Sequence, residues 1–473
     1  MAEIGDTPTG LFIGNAFRAS GQSFAVTDKY HLHDIAQVST ADQTDMDDAL
    51  ALATHYAANV PQAYARAELL LRVRDLVAAR REQFQAVMTA EAGFPVKDAN
   101  GEINRALQTL TLSAEEAKRL SGEVVPFGGA PAGGGRLGFT VPVPLGIVVA
   151  ITPFNAPLNT VCHKVGPAIA AGNAVVLKPS DKTPLTANLL AQCFADASAP
   201  DGALAVLHGG VPVAQGLLAD PRPHFYAFTG STQAGRAIQA AAGLRRTQME
   251  LGSIAGTIVL EDADLEMAAA KCAGASFRKA GQVCTSIQML MVADAVMPSF
   301  RAAYLNAVDA LVVGDPADPA TDVGPMISVD AAQRVEALVQ DQPLLCGGTR
   351  TDALVAPTVI DTPDPGAAVL QQEIFGPVVC LIPVRDADEA IARVNATPYG
   401  LATGLFTNDL QRAMTAAMAL DVGGVHINET SSSRVDLMPY GGTKDSGFGQ
   451  EGPKYAVHEM MEHKLITFSG LSV

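Results

Sequence analysis

Cys284 is the residue best placed for nucleophilic chemistry, because it lies in a polar turn, GQVCTS, over residues 281–286. A thiol reacts as the thiolate, and a polar turn can solvate that anion. The other five cysteines are assigned to apolar packing, the usual role of a buried cysteine. The sequence therefore predicts a single reactive thiol.

Two further residues suit the same reaction. Glu250, in MELGS, is a carboxylate in an apolar, strand-like context and is a candidate general base, although a salt bridge is the alternative. Asn155, in ITPFNAP, follows a predicted buried strand, and its amide can stabilise a developing oxyanion. An Asx turn would also explain this asparagine.

Two segments have the residue types of a nucleotide site. In LKPSDKTP, Lys178 and Asp181 can bind ribose hydroxyls, although a helix cap at Thr183 explains part of this pattern. In FTGSTQAG, a strand turns through Gly230 into a helix, whose first free amides attract a phosphate. Each segment alone is a weak signal.

Several formal motifs are rejected. The spacing G-x-G-x-x-G occurs at residues 133–138 and 447–452, but neither match links a strand to a helix as a dinucleotide loop requires. His458 and His463 are five residues apart, which places them on different helix faces, so no metal site is predicted. There is no G-x-S-x-G sequence of a serine hydrolase.

The elements that must position these residues form an α/β pattern. Apolar residues at helical spacing predict helices in the first third, over 46–58, 62–91 and 102–120. Buried strands are then predicted at 147–152, 174–178, 203–208, 225–229 and 257–260, with helices between them that include 183–197 and 232–242. Such alternation indicates a parallel sheet.

A second series begins after about Glu261, with strands near 289–293, 378–384, 403–406 and 424–428. The Gly/Pro-rich residues 122–138 cannot be helical and are interpreted as a crossing segment or boundary. Two α/β domains with a cleft between them are therefore expected.

Composition excludes several classes of protein. The 473 residues carry 32 basic and 49 acidic side chains, a net charge of −17, which disfavours nucleic acid and anionic membranes as partners. No signal peptide or apolar membrane span is recognised, so a cytoplasmic protein is expected. The six cysteines contain no CxxC pair, which is typical of reduced thiols.

Seven segments in order resemble the NAD(P)-dependent aldehyde dehydrogenase superfamily across nearly the whole chain. They are PLGIVVAITPFNAPL, AGNAVVLKPSDKTP, FTGSTQAG, ELGS, GQVCTS, EIFGPV and PYGGTKDSGFG. The resemblance implies an enzyme that oxidises an aldehyde to a carboxylic acid, with a Rossmann-like cofactor domain and a catalytic domain.

Catalytic roles follow from the resemblance alone. Cys284 resembles the nucleophile that forms a thiohemiacetal and then a thioester, and Asn155 resembles the oxyanion donor. Glu250 resembles the base that activates water, and Lys164 the lysine near the asparagine.

The resemblance also implies a cofactor site for NAD, with NADP possible. Asp181 replaces the usual Glu and weakly favours NAD, because an anion repels the 2′-phosphate of NADP. Phe154 replaces the usual Trp, and Ser253 replaces a Gly. The residues expected to bind the cofactor are Ile151, Thr152, Pro153, Phe154, Lys178, Ser180, Asp181, Gly210, Gly230, Ser231, Leu251, Glu373 and Phe375.

The substrate pocket is expected to be polar. Thr160 and His163 stand where enzymes for fatty or aromatic aldehydes have bulky apolar residues, and Arg105 aligns with an arginine of branches that bind anionic aldehydes. Arg434 lies in the loop at the substrate entrance, whereas Val283 lacks the positive charge of some phosphate-binding members. A small polar or anionic aldehyde is expected: lactaldehyde, a semialdehyde, or a phosphonate or sulfonate. The alternative is that both arginines form structural ion pairs.

Domain bounds and assembly are also implied by the resemblance. The cofactor domain is expected over 1–122 and 141–251, the catalytic domain over 252–441, and an oligomerisation arm over 123–140 and 454–473. Strand character at 465–469 favours a homodimer or homotetramer. Two alternative functions remain open: an idle binding or structural member, and a cysteine esterase without cofactor.

Overall fold

The computed structural model describes residue 4 and residues 7–470. Its N-terminal part contains two short strand pairs, four helices and the first strand of the arm. These elements are β1 (Leu11–Ile13), β2 (Ala16–Arg18), β3 (Gln22–Thr27), β4 (Asp34–Thr40), α1 (Gln43–Ala58), α2 (Ala63–Ala79), α3 (Arg81–Ala92), α4 (Val96–Ala117) and β5 (Arg136–Pro144).

The next segment alternates strands and helices. It contains β6 (Ile147–Ile151), α5 (Asn159–Ala171), β7 (Ala174–Lys178), α6 (Pro184–Asp196), β8 (Leu204–Val206), α7 (Val211–Ala219), β9 (Phe225–Thr229), α8 (Thr232–Ala242) and β10 (Arg246–Glu250).

The rest of the chain forms a second series and a C-terminal return. It contains β11 (Ala255–Val259), α9 (Leu265–Phe277), β12 (Ile287–Ala293), α10 (Met297–Asp309), α11 (Val329–Val339), β13 (Leu344–Cys346), β14 (Arg350–Thr351), β15 (Leu354–Val355), β16 (Thr358–Asp361), α12 (Ala368–Gln371), β17 (Val378–Val384), α13 (Ala387–Asn395), β18 (Tyr399–Gly400), β19 (Ala402–Phe406), α14 (Leu410–Ala419), β20 (Gly424–Ile427), β21 (Thr443–Lys444), β22 (Gly447–Phe448), α15 (Pro453–Glu459) and β23 (Met461–Ser469).

The predicted N-terminal helices are present, but one prediction was wrong. The expected single helix over 62–91 is two helices, α2 and α3, separated at Arg80, whose backbone leaves the helical region. Arg80 is a good helix former, so local propensity does not reveal the break. Helix α4 begins directly after Pro95, earlier than the expected residue 102.

The first sheet has eight strands in the order β2-β1-β8-β7-β6-β9-β10-β22. Strands β8, β7, β6, β9 and β10 run parallel, while β22 is antiparallel to β10. Every residue of β6 and β7 is buried, as expected for parallel strands covered on both faces.

The second sheet has seven strands in the order β13-β16-β17-β12-β11-β19-β20. Strand β11 contains the residues 257–259 that were expected to close the first series, and it lies in this second sheet instead. Strands β10 and β11 follow each other without a helix, and an apolar strand pattern does not specify which sheet it joins. The buried hydrophobic residues likewise form two clusters. One combines residues 11–251 with Val457, Met460 and Met461, and the other lies within Ile254–Leu420.

Strands β5 and β23 pair antiparallel from Pro144↔Met461 to Arg136↔Ser469 and form a separate two-stranded arm. The expected crossing segment therefore ends in a strand. Residues 471–473 of the expected arm lie outside the described residues. Over the described part of the chain, no helix combines the length and hydropathy needed to cross a membrane.

Candidate active site

The candidate residues gather where neighbouring parallel strands end. Asn155 follows β6, Asp181 follows β7, Ser231 follows β9, and Glu250 is the last residue of β10. Because these strands are parallel neighbours, their carboxyl ends meet at one edge of the first sheet, where open α/β sheets bind ligands.

Cys284 reaches this edge from the part of the chain that forms the second sheet, in the loop between α9 and β12. Just before Cys284, this loop contains three consecutive residues with positive φ: Lys279 at 51°, Ala280 at 52° and Gly281 at 67°. A Cβ at Gly281 would lie 2.1 Å from the carbonyl oxygen of Gly376, so only glycine fits there. Left-handed Lys279 and Ala280 cost about 1–3 kcal/mol each, strain that is typical of functional loops.

Cys284 is half-buried, and its Sγ lies 3.1 Å from the hydroxyl oxygen of Tyr440. Burial raises the pKa of Cys284 to about 11, although the Tyr440 hydrogen bond and the Arg434 charge act in the opposite direction. The thiol is therefore protonated at neutral pH.

The Asn155 side chain is held beside this loop. Its Nδ2 donates to the carbonyl oxygen of Gln282 at 2.8 Å, and the backbone carbonyl oxygen of Asn155 accepts Lys279 Nζ at 2.9 Å. Lys279 also pairs with buried Glu102 at 2.7 Å. An amide nitrogen carries two hydrogens, so one N–H of Asn155 remains for an oxyanion.

Glu250 is 3% exposed, and its Oε1 has no hydrogen-bond partner among the described residues. Burial, reinforced by the nearby Glu451 carboxylate, raises the pKa of Glu250 well above 4.5. A carboxyl group of this kind is neutral at rest and a stronger base once ionised, as a general base requires.

Lys164 lies on α5 and is completely buried, where its Nζ binds Glu451 Oε1 at 3.0 Å. The other oxygen of Glu451 accepts Nη2 of Arg434 at 2.7 Å. Burial opposes ionisation of Glu451, but Lys164 and Arg434 outweigh it and lower its pKa.

Arg105 and His163 meet at a second carboxylate, Asp436. Arg105 Nη2 lies 2.7 Å and His163 Nε2 2.8 Å from Asp436 Oδ1, and Asn159 also donates to that oxygen. Burial lowers the pKa of His163 more than the Asp436 hydrogen bond raises it, so the imidazole is neutral. His163 is fully buried, and Thr160 on the same helix is 8% exposed.

Both expected substrate arginines are thus ion-paired, yet the cluster retains a positive charge. Arg105, Lys164 and Arg434 are three cations, and Asp436 and Glu451 are two anions, which leaves 3 − 2 = +1 while Glu250 is neutral.

The residues expected to hold an adenosine ribose lie together at the end of β7. Asp181 Oδ1 accepts Lys178 Nζ at 3.2 Å and the backbone N–H of Gly209 at 3.3 Å. A Cβ on Gly210 would be 3.7 Å from Asp181 Oδ2. The Ser180 hydroxyl accepts the N–H of Lys182 and shapes the turn.

The turn after β9 also has the expected form. Gly230 precedes Ser231, whose hydroxyl caps α8 by accepting the N–H of Ala234 at 3.3 Å. At the end of β6, after Ile151 and before Pro153, Thr152 Oγ1 is buried without a partner in the described structure. A helix N-terminus and an unpaired buried hydroxyl both fit a phosphate-bearing ligand.

The third part of this cleft comes from the part of the chain that forms the second sheet. The Phe375 ring meets the Phe154 ring edge-on at 5.8 Å, and Phe375 has a φ of 47°. Glu373 Oε1 accepts the N–H of Ser253 at 3.1 Å, close to Leu251. Burial raises the pKa of Glu373 to about 7 against the effect of that hydrogen bond. Together with the two strand-end turns, these residues fit a dinucleotide such as NAD(P).

Within residues 4 and 7–470, no group of three or more His, Cys, Asp or Glu side chains is placed to hold a metal ion. Three functional candidates were not predicted from sequence: Tyr440, Asp436 and Glu451. Tyr440 lies in a segment that carried the family resemblance, PYGGTKDSGFG, but only its contact with Cys284 singles it out. The two carboxylates had no sequence signal, since Arg105 and Lys164, which bind them, are 331 and 287 residues away.

A reactive thiol, an amide donor and an unpaired carboxyl beside a dinucleotide cleft define a dehydrogenase with a cysteine at its centre. The chain belongs to the aldehyde dehydrogenase family: the model described as "Aldehyde dehydrogenase family" matches residues 17–466. It is therefore an NAD(P)-dependent aldehyde dehydrogenase of the α/β class, and the predicted fold class, enzyme class and cofactor are confirmed.

Curated relatives and solved structures agree with this assignment. The chain is 43% identical over 466 residues to a 3-sulfolactaldehyde dehydrogenase of Priestia aryabhattai, covering 97% of this chain and 98% of that protein. It is 35% identical over 459 residues to a lactaldehyde dehydrogenase of Methanococcus maripaludis, covering 94% and 97%.

Among solved structures, aldehyde dehydrogenase 21 from Physcomitrella patens, in complex with the reaction product succinate, has a TM-score of 0.95 at 36% identity, covering 98% of this chain and 99% of that one. A glyceraldehyde-3-phosphate dehydrogenase from Methanocaldococcus jannaschii, complexed with NADP, has a TM-score of 0.91 at 36% identity, covering 95% and 100%.

Proposed function

We propose that this enzyme oxidises a small polar or anionic aldehyde to its carboxylic acid through a thioester on Cys284. In the first step the Cys284 thiol gives its proton to water, the resulting thiolate attacks the aldehyde carbon, and a C–S bond forms. The carbonyl oxygen becomes an oxyanion, which accepts the free N–H of Asn155 and the backbone N–H of Cys284. The Gln282 and Lys279 contacts support this role, because the first fixes the Asn155 side-chain amide and the second its backbone before substrate arrives.

Bound NAD(P)⁺ would supply the acceptor for the hydride that leaves the former aldehyde carbon. Lys178 and Asp181 would hold its adenosine ribose, with Ser180 and Gly210 shaping the same turn. Gly230 and Ser231 would face the pyrophosphate, and Glu373 would hold the nicotinamide ribose. Phe154 and Phe375 would wall the ring, and the segments Ile151–Pro153 and Leu251 would line the cleft.

The second half of the reaction releases the acid. Water attacks the thioester carbon while Glu250 takes its proton, the C–S bond breaks, and the Cys284 thiolate leaves. The unpaired Oε1 and the raised pKa of Glu250 support this role, since an unpaired carboxylate with a raised pKa accepts a proton readily once it is ionised. Lys164 is proposed to support the reaction by neutralising Glu451, because two ionised glutamates side by side would be unfavourable.

The charge of the inner cluster carries the proposal for an anionic substrate. Two buried carboxylates are opposed by three cations, so the free site has one surplus positive charge. Arg105 and Arg434 would supply this positive charge to the anionic group of the substrate. His163 would act through Asp436, and Thr160, on the same helix as His163, would line the substrate pocket. The names of the relatives, which include a sulfolactaldehyde and a lactaldehyde dehydrogenase, agree with a short hydroxyaldehyde.

A matched pair of substrates tests this proposal. Lactaldehyde and 3-sulfolactaldehyde differ by one sulfonate, so kcat/KM for both would be measured in Arg105→Ala and Arg434→Ala. The loss of kcat/KM should be about 10- to 100-fold larger for 3-sulfolactaldehyde than for lactaldehyde, because a hydrogen bond to a charged group contributes about 1.5–3 kcal/mol. Arg412→Ala, which removes an exposed arginine paired with Glu261, is the control. Equal losses on both aldehydes would show that the arginine removed does not bind the anionic group of the substrate.

The assembly is proposed to be a homodimer or homotetramer. The arm presents partly exposed apolar side chains, namely Leu137, Leu465 and Phe468, at 43%, 52% and 46% exposure. Strand β20 is the terminal strand of the second sheet and can accept a partner strand. Light scattering at micromolar concentration would find more than one chain per particle, and a monomer would contradict the proposal.

A cytoplasmic location is proposed for the enzyme. All six cysteines are free, as expected where thiols are kept reduced. Cell fractionation that finds the enzyme in an oxidising compartment would contradict this.

A further inference from the structure

The nucleophile has one side-chain hydrogen-bond partner among the described residues. Cys284 Sγ lies 3.1 Å from the phenolic oxygen of Tyr440, which is 9% exposed, and no basic side chain hydrogen-bonds to the sulfur. A thiolate in a buried site needs a donor, because burial disfavours its charge. Among residues 4 and 7–470, Tyr440 is the only side chain in hydrogen-bond contact with the sulfur that can provide one.

The phenol is held firmly in this position. The backbones of Tyr440 and Glu451 exchange two hydrogen bonds, of 3.1 and 2.7 Å. The guanidinium of Arg434 lies over the Tyr440 ring, 3.7 Å from its centre, and is itself bound to Glu451 at 2.7 Å. Backbone pairing and the stacked cation therefore restrict the ring, and its hydroxyl points at the sulfur.

The direction of the hydrogen bond follows from the two acidities. Burial raises the pKa of Tyr440 well above 10, reinforced by the Cys284 thiol and only partly offset by Arg434. The phenol thus keeps its proton over the working pH range, so the O–H donates to the sulfur once the sulfur is ionised. The reverse assignment, with the thiol donating to a phenolate, would require the weaker acid to ionise first.

We propose that Tyr440 is a catalytic hydrogen-bond donor, whose phenol stabilises the Cys284 thiolate and orients it for attack, while Arg434 holds the phenol in place as a positioning residue. This inference rests on the proposed role of Cys284 as the nucleophile. It gives Arg434 a second task, independent of the charge of the substrate. Arg434→Ala would therefore lose activity on neutral aldehydes as well, and Arg105→Ala would lose mainly the anionic ones.

Thiol alkylation tests the inference without any aldehyde. The rate of iodoacetamide reaction and the ultraviolet absorbance of the thiolate would be followed against pH in the wild type and in Tyr440→Phe, with Cys284→Ala as the blank for the other cysteines. The pH midpoint of Cys284 ionisation should rise by about one unit in Tyr440→Phe, and alkylation at neutral pH should be about 10-fold slower. With an aldehyde as substrate, the kcat of Tyr440→Phe should fall with little change in KM, and it should recover at higher pH.

The control is Tyr304→Phe, which removes another buried phenol of the same domain, bonded to Ser276 Oγ at 3.2 Å. It should leave the Cys284 midpoint unchanged. An unchanged midpoint of Cys284 ionisation in folded Tyr440→Phe would overturn the inference. If that variant does not fold, the same midpoint would be measured in Tyr440→Met, which also lacks the hydroxyl. Because alkylation needs no substrate, this outcome is separate from a failure of the proposed aldehyde oxidation.

Discussion

Arg105 and Asp436, which are 331 residues apart in the chain, form an ion pair of 2.7 Å. Asp436 is 1% exposed at its side chain, whereas Arg105 is 29% exposed. The pair joins α4 to the loop that carries Arg434 and Tyr440. The position of this loop over Cys284 therefore depends on a carboxylate that also neutralises a proposed substrate arginine.

Asp436→Asn should change selectivity and stability in opposite ways. It frees the Arg105 charge, so kcat/KM for 3-sulfolactaldehyde should rise several-fold relative to lactaldehyde. It also weakens a buried network, at a cost of about 2 kcal/mol in the free energy of unfolding. Kinetics and chemical denaturation measure the two effects. Asp421→Asn, at an exposed carboxylate paired with Lys444, should change neither, and an unaltered substrate ratio in Asp436→Asn would contradict the role of Arg105.

Glu250→Gln should separate the two halves of the reaction. Thioester formation does not need the base, so a burst of about one NADH per active site should appear, followed by turnover about 10²–10⁴-fold slower. Stopped-flow fluorescence would measure the burst, and mass spectrometry of the quenched protein would detect the acyl group on Cys284. Glu261→Gln, at a surface carboxylate, is the control. Loss of the burst itself would instead place Glu250 in the first step.

Hydrolysis of the thioester should accelerate with rising pH. The pKa of Glu250 is raised well above 4.5, mainly by burial, and the carboxylate is the active form. As pH falls through that raised pKa, the base becomes protonated, so the steady rate should fall while a burst remains. The deacylation rate would be measured from about pH 5 to about pH 9. A rate that is flat across this range, or a slope that survives in Glu250→Gln, would rule out this assignment.

Gly252→Ala should weaken cofactor binding with little loss of stability. A Cβ at this position would lie 2.6 Å from Glu373 Oε2, the end of a flexible side chain, so the carboxylate rather than the backbone would move. The KM for NAD should rise about 10-fold, the loss of roughly one charged hydrogen bond. Gly274→Ala is the matched control, because a Cβ there meets nothing within 4 Å and α9 should gain about 1 kcal/mol. Equal KM values in the two variants would exclude Glu373 from the cofactor site.

Asp181→Ser should improve the use of NADP. The Asp181 carboxylate binds Lys178 at 3.2 Å, where it would repel a 2′-phosphate and occupy the only neighbouring cation in its described contacts. Its removal should raise kcat/KM for NADP about 10-fold, since one close charge repulsion of about 1.4 kcal/mol is relieved. Asp201→Ser, at an exposed aspartate bonded to Asn15, should leave the NAD/NADP ratio unchanged. A wild-type enzyme that already prefers NADP would contradict the role given to Asp181.

Much of the fold could be read from local patterns. Strands at 174–178, 225–229 and 378–384 and the helix at 232–242 have the predicted bounds, because continuous apolar runs and helical spacing are local properties. The break at Arg80 and the transfer of β11 to the second sheet were not predictable, because both depend on which distant surface the segment packs against.

The sequence by itself determined the α/β class, the enzyme family and the identity of its reactive groups, because those depend on residue types in order along the chain. Only the tertiary structure decided which groups meet: Tyr440 with Cys284, Lys164 and Arg434 with Glu451, and Arg105 with Asp436. The physical reason is that protonation and charge in a buried site follow from distance and burial. Those quantities arise only when the chain is packed, and every one of these pairs except Arg434 with Glu451 joins residues more than a hundred positions apart.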